Sequence, residues 1–170
     1  MVTKLLLESL VALPYLPARG TLLDIGSGAG VPGLIIKIAR PEFQVHLLES
    51  RAKKVSFLKN TIRVLNLKGV DAYHGRAEKY NELPGLLPSY NVVAVRALAS
   101  IKKTITICSP YLAPGSLLVT FKGPIIEKEI EESRDLMTKL LLSEKYKVRY
   151  KLPRNNSIRY LLILKKSIIS

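Results

Sequence analysis

Between Leu22 and Gly33 the chain reads "LLDIGSGAGVPG", with four glycines in the eight residues that follow an apolar run ending in Asp24-Ile25. This stretch constrains the fold more than any other. An apolar run of strand length must be buried. A glycine-rich turn directly after it lets the backbone take left-handed angles and approach a ligand closely. Helical spacing resumes in "GLIIKIA", with Pro32 near its start and Pro41 just beyond its end. Strand, glycine turn and helix in that order open an α/β sheet whose first turn binds a nucleotide-like group.

The same alternation runs on. "FQVHLLES" is strand-like, and "RAKKVSFLKNTIRVLNL" carries Val55, Leu58, Ile62 and Leu65 at helical spacing. "VDAYHG" and "YNVVAVRA" predict two more strands, with a short helix "RAEKYNEL" between them and the helix "SIKKTITICSPYL" after the second. "GSLLVTFKG" predicts a fifth strand, and "IIEKEIEESRDLMTKLLL" a single helix that begins acidic, as the helix dipole prefers. The strand-like runs "YKVRYKL" and "SIRYLLILKK" are split only by "PRNN", which implies an antiparallel hairpin. The expected fold is α/β and Rossmann-like: seven strands, mostly parallel, closed by an antiparallel hairpin, with helices on both faces. One domain is expected over residues 1–170, with a helix in 1–20 and the core in 21–170.

The glycine turn parses two ways. Gly26, Gly28 and Gly30 give the G-x-G-x-G of many methyltransferases; Gly28, Gly30 and Gly33 give the dinucleotide pattern G-x-G-x-x-G. Glu49, at the end of the second strand, suits ribose hydroxyls in either case. Three features favour the first parsing and the cofactor S-adenosylmethionine. Asp24 would repel a pyrophosphate but attract the cofactor's cationic amino and sulfonium groups. The closing hairpin suits a methyltransferase sheet. One domain leaves no room for the second domain of a dehydrogenase. Simpler structural roles exist as well: Asp24 as a turn carboxylate, and Glu49 as a cap on the helix from Arg51.

Composition narrows the partners. Lys and Arg number 27 against 13 Asp and Glu, a net charge of +14, which attracts polyanions, nucleic acid first and a membrane surface second. The single cysteine, Cys108, excludes an internal disulfide, and with only His46 and His74 no metal cluster is expected. Glu8 interrupts the N-terminal apolar stretch, so an amphipathic helix is expected there rather than a signal peptide or membrane span. A reducing cytoplasm is the expected location.

"DIGSGAGVPG", "LLESRAKKVSFL", "GRAEKY", "VRALAS" and "FKG" occur in this order. Together they resemble the bacterial 16S rRNA guanine-N7 methyltransferase family (RsmG, formerly GidB), over roughly residues 5–166. The resemblance implies S-adenosylmethionine-dependent methylation of guanine N7 in the rRNA of the small ribosomal subunit. By motif position it assigns Gly26 and Val31 to the cofactor and Ala77 and Glu78 to the adenine, beside Asp24, Gly28 and Glu49, which the glycine-turn pattern itself gives to the cofactor. It also puts Arg96 at the cofactor or target pocket, and Lys122 at the end of the fifth strand as an orienting or substrate-binding group. The structural alternatives are an ion pair of Arg96 with Asp24 or Glu78, and a solvated Lys122. Arg51, Lys53, Lys54, Lys102 and Lys103 are expected to form an RNA-facing rim. Tyr73, Tyr80 and Tyr90 are expected to pack rather than stack on bases. Two departures stand out: the family's helical N-terminal extension is short here, and Asn91 stands where many relatives have aspartate, with little effect expected. A monomer is favoured. The competing functions are a methyltransferase of another substrate class and a cofactor-binding RNA module without catalysis.

Overall fold

The computed structural model describes residues 2–87, 89–96, 100–151 and 157–168, with side chains from residue 5 onward. In chain order it holds α1 (Val2–Ala12), β1 (Gly20–Ile25), α2 (Gly33–Ala39), β2 (Phe43–Glu49), α3 (Ala52–Val64), β3 (Val70–His74), β4 (Tyr90–Arg96), α4 (Ile101–Cys108), β5 (Leu112–Lys122), α5 (Ile126–Glu131), α6 (Arg134–Lys139), β6 (Leu142–Lys151) and β7 (Ile158–Lys166). The seven strands form one sheet in the order β3-β2-β1-β4-β5-β7-β6. β1 to β5 run parallel, while β7 pairs antiparallel with β5 and with β6. The expected mostly parallel sheet with a closing hairpin is what forms. The "PRNN" turn of that hairpin and the "ALA" of "VRALAS" lie outside the described residues.

Strand residues alternate between two cores. Leu23, Ile25, Val93 and Val95 face a layer built with Ile101 and Ile105 of α4, Ile126 of α5 and Met137 of α6. Leu22, Val45, Val92 and Ala94 face the opposite layer, with Ala12 of α1, Leu34 and Ile36 of α2, and Val55 and Leu58 of α3. Helix cover on both faces explains why the central strands are apolar almost without interruption. The strand order reverses between β1 and β4, and ligands of open α/β sheets bind at such a switch point, outside the carboxyl ends.

Two helix expectations change. "IIEKEIEESRDLMTKLLL" forms two short helices, α5 and α6, rather than one. At the break Ser133 is fully buried, and its hydroxyl donates to the Glu129 carbonyl at 2.7 Å, competing with the helical backbone. The "RAEKYNEL" segment is a 3-10 turn over Ala77–Glu82, with Lys79 at non-helical angles. Asn91 fastens the amino end of β4 to β1: its Oδ1 accepts from the Thr21 amide at 2.9 Å and the Thr21 hydroxyl at 3.0 Å. That end is opposite the carboxyl strand ends.

Candidate cofactor and substrate site

The glycine turn is built by hydrogen bonds between β1 and β2. The Gly26 and Ser27 amides both donate to the Leu48 carbonyl, at 2.8 and 3.2 Å, and the Ser27 hydroxyl donates to the Asp24 carbonyl at 2.7 Å. Gly26 takes a φ of +71°, and nothing lies within 4 Å of where a Cβ would stand. Its backbone therefore borders open space at the strand end. Gly33 is needed for the opposite reason. A Cβ there would sit 2.4 Å from Leu47 Cδ2 and 2.8 Å from Asp24 Oδ2.

Asp24 is completely buried under this turn. Its Oδ2 accepts from the Gly33 amide at 2.8 Å, and its Oδ1 has no hydrogen-bond partner. Burial pushes the carboxyl up to about 7; the Gly33 amide, the Ser27 hydroxyl and the Arg96 charge oppose the rise, and Glu49 adds to it. Glu49 is also buried and links two segments. Its Oε2 accepts from the Gly28 amide at 3.0 Å, and its Oε1 from the Arg51 amide at 2.9 Å, just before α3. Glu49 thus ties the residue before α3 to the glycine turn and holds the two in register, while α3 itself has no side-chain cap.

Beside the turn lies a cleft of about 150 Å³. Ile25, Leu48, Ala77 and Ile107 give it apolar walls; Gly26, Ser50 and Glu78 add polar groups. The Tyr111 hydroxyl donates to the Ala77 carbonyl at 2.8 Å and so pins the 3-10 turn that closes the cleft. A larger cavity, about 700 Å³, opens by Lys37, Phe43 and Lys68. It sits where β2 begins, at the end of the sheet where open α/β folds do not bind ligands, so the smaller cleft is the functional candidate.

The structure brings Gly26, Ala77 and Glu78 together around the cleft, with Gly28, Asp24 and Glu49 fixed directly behind it. Val31 does not line the cleft; its amide donates back to the Ser27 carbonyl. Arg96, at the carboxyl end of β4, has an ion pair, but its carboxylate is Glu8 of α1 at 3.6 Å rather than Asp24 or Glu78. Lys122 is buried rather than solvated. Its Nζ lies 3.1 Å from Glu129 Oε2, an oxygen that also accepts from the Ile101 amide at 2.8 Å. Arg51, Lys53 and Lys54 are exposed at the start of α3, and Lys102 and Lys103 are exposed in the first turn of α4. Both helices start at carboxyl strand ends, so these five cations share the cleft's end of the sheet. The Lys54 ammonium comes within 3.8 Å of the Cβ position at Gly28.

Reading the sequence missed Glu8, Tyr150, Glu129 and the cleft walls Ile25, Leu48 and Ile107. Only Glu8 left a signal, as the acid interrupting an apolar run. Other polar groups stay outside the site. His46 is buried with its Nδ1 2.8 Å from the Tyr90 hydroxyl, and Tyr73 and Tyr80 pack on His46 and Tyr111. Burial pushes the Cys108 thiol up to about 12, which leaves it an inert core group. Among the described residues no cluster of His, Cys, Asp and Glu could hold a metal ion, and no helix is long and apolar enough to cross a membrane.

Known proteins point the same way. A methyltransferase from Pyrococcus furiosus superposes with a TM-score of 0.74 at 18% identity, covering 99% of this chain and 85% of that one. An S-adenosylmethionine-dependent methyltransferase from Methanosarcina mazei gives 0.70 at 16% identity, covering 94% and 98%. These likenesses establish the fold. The chain is 38% identical over 160 residues to the ribosomal RNA small subunit methyltransferase G of Thermotoga neapolitana, covering 94% of this chain and 69% of the relative. It is 36% identical over 161 residues to that of Desulfotalea psychrophila, covering 94% and 73%. Against the Moorella thermoacetica relative, 34% identical, it spans 63% of the length. The family model described as rRNA small subunit methyltransferase G matches residues 1–157. The chain belongs to the rRNA small subunit methyltransferase G family, also called GidB.

Proposed function

We propose that this chain transfers a methyl group from S-adenosylmethionine to N7 of a guanine in 16S rRNA. The observation that carries the reading is the cleft of Gly26, Ala77 and Glu78 beside a buried carboxylate with an unpartnered oxygen, in a chain of this family. The residues fit the cofactor. Ile25, Leu48 and Ile107 offer apolar surface to an adenine, and Ser50 and Glu78 offer polar groups to its edge and to the ribose. Asp24, held at the end of β1 with Oδ1 unsatisfied, would attract a cationic amino or sulfonium group through the turn.

When bound, S-adenosylmethionine supplies a methyl group activated by its sulfonium charge. Guanine N7 attacks with a lone pair already free at neutral pH, so no general base is required. A methyl group so supplied would bond to N7 with sulfur as the leaving group, which would keep the electron pair of the broken bond. The positive charge passes to the base, and no proton moves. Catalysis then reduces to in-line placement, an orientation effect. This matches a site whose lining holds no histidine or cysteine among the described residues. Arg96 takes the role of contacting guanine O6 or a flanking phosphate, since N7 must stay free for attack. Lys122 supports the site indirectly, through Glu129 and the start of α4. The five rim cations draw in the RNA backbone. A monomer acting in the cytoplasm is consistent with this reading.

The test is transfer from labelled S-adenosylmethionine to small ribosomal subunits lacking the modification. Label in 16S rRNA is expected. Tight cofactor binding with no label in RNA would overturn the assignment.

A further inference from the structure

Glu8 is the one acidic residue of α1, and it is buried. A carboxylate taken out of water is costly unless it is paired, and replacing such a pair by apolar residues is often neutral or stabilising. Stability alone is therefore a weak reason for it. Its two oxygens have different partners. Oε1 accepts from the Tyr150 hydroxyl of β6 at 3.3 Å, and Oε2 faces the Arg96 guanidinium of β4 at 3.6 Å. Three elements remote in sequence thus meet at this ion pair, at the carboxyl end of the sheet.

The contact with Arg96 is ionic and longer than a hydrogen bond. Among the described residues Arg96 makes no other ion pair within 4 Å and donates no hydrogen bond, although its charge is also felt by the buried Asp24. A guanidinium has five N–H donors, so those on Arg96 remain available to a ligand. Its side chain is 23% exposed, against 4% for Glu8. The buried acid is the fixed point, and the arginine head is the part that reaches out.

We propose that Glu8 is a positioning residue for methyl transfer: braced by Tyr150, it holds the Arg96 guanidinium at the carboxyl end of β4 in the orientation that engages the target guanine or its phosphate. The inference rests on the role given to Arg96 above. It makes α1 part of the site although α1 contributes nothing to the cofactor cleft.

The experiment compares the Glu8→Gln, Glu8→Asp and Tyr150→Phe variants of the full chain, each alone and with Arg96→Gln. Glu8→Gln should lower kcat by about tenfold to a hundredfold, the scale of a misplaced orienting group. The dissociation constant for S-adenosylmethionine should change less than about twofold, because Glu8 does not touch the cleft and the effect is confined to orientation. Tyr150→Phe should give a smaller loss of the same kind, and Glu8→Asp should recover part of it. In the Arg96→Gln background Glu8→Gln should cause no further loss. A wild-type kcat for Glu8→Gln, or an equal loss with and without Arg96, would overturn the proposal. The 15N side-chain resonances of Arg96 give a second readout: both Glu8→Gln and Tyr150→Phe should shift and broaden them, and unchanged resonances would also overturn it. Should Glu8→Gln fail to fold, Tyr150→Phe, which removes a single hydroxyl, carries both measurements. If the wild-type chain transfers no methyl group, the functional reading fails, and the Arg96 resonances alone decide whether Glu8 and Tyr150 fix the guanidinium.

Discussion

Asp24 has lost water on every side and gained only one backbone amide on Oδ2. Its carboxyl therefore titrates near 7 instead of its usual 3.8. The folded chain binds this proton more tightly than the unfolded chain. The group's contribution to stability is therefore fully present below about pH 4 and is lost as pH rises toward 7. A cationic ligand favours the ionised form. S-adenosylmethionine should bind more tightly as pH rises through 7 and release a proton as it does. Asp24→Asn should flatten this dependence, which calorimetry in buffers of different ionisation enthalpy reads directly. Gly33 belongs to the same contact. Gly33→Ala drives a methyl group into Leu47 and the Asp24 carboxylate. It should cost about 1–3 kcal/mol by overpacking, measured by urea unfolding.

Among the elements, α4 and α5 are joined to β5 by a charge pair that spacing along the chain does not reveal. Glu129 of α5 holds both Lys122 of β5 and the first amide of α4. Removing its charge leaves a buried ammonium without this carboxylate. Glu129→Ala should therefore destabilise the fold by about 3 kcal/mol, seen as an earlier urea midpoint. The elements themselves were largely legible. Apolar runs, glycine turns and 3.6-residue spacing marked β1 to β5 with their helices, and the short "PRNN" link marked the final hairpin. The break between α5 and α6 was not legible, because it depends on Ser133 turning inward to bond a carbonyl. In the site, the glycine turn was legible from its local pattern, whereas Ala77 and Glu78 came only from the family resemblance carried by "GRAEKY"; both line the cleft. The partners of Arg96 and Lys122 were not. Glu8 and Glu129 meet those cations only after the sheet has brought distant segments together, and no local periodicity records such a meeting.

Across the whole molecule, the net charge of +14 is not spread without consequence. Arg51, Lys53, Lys54, Lys102 and Lys103 gather at the cleft's end because α3 and α4 both begin there. Each cation that neutralises a phosphate adds about 0.7 to the salt slope for single-stranded RNA. Replacing all five with glutamine should therefore lower the slope of log K against log salt by about 3.5, with S-adenosylmethionine affinity unchanged. An unaltered slope would move the RNA to another face. The central claim is chemical: this cleft delivers a methyl group to guanine N7. Nucleoside mass analysis of 16S rRNA, after incubating modification-deficient small subunits with the chain and S-adenosylmethionine, tests it most directly. One added 7-methylguanosine per subunit is expected, formed more slowly but still measurably by the Arg96→Gln variant. A methyl group appearing on another atom, or none with the wild-type chain, would contradict it.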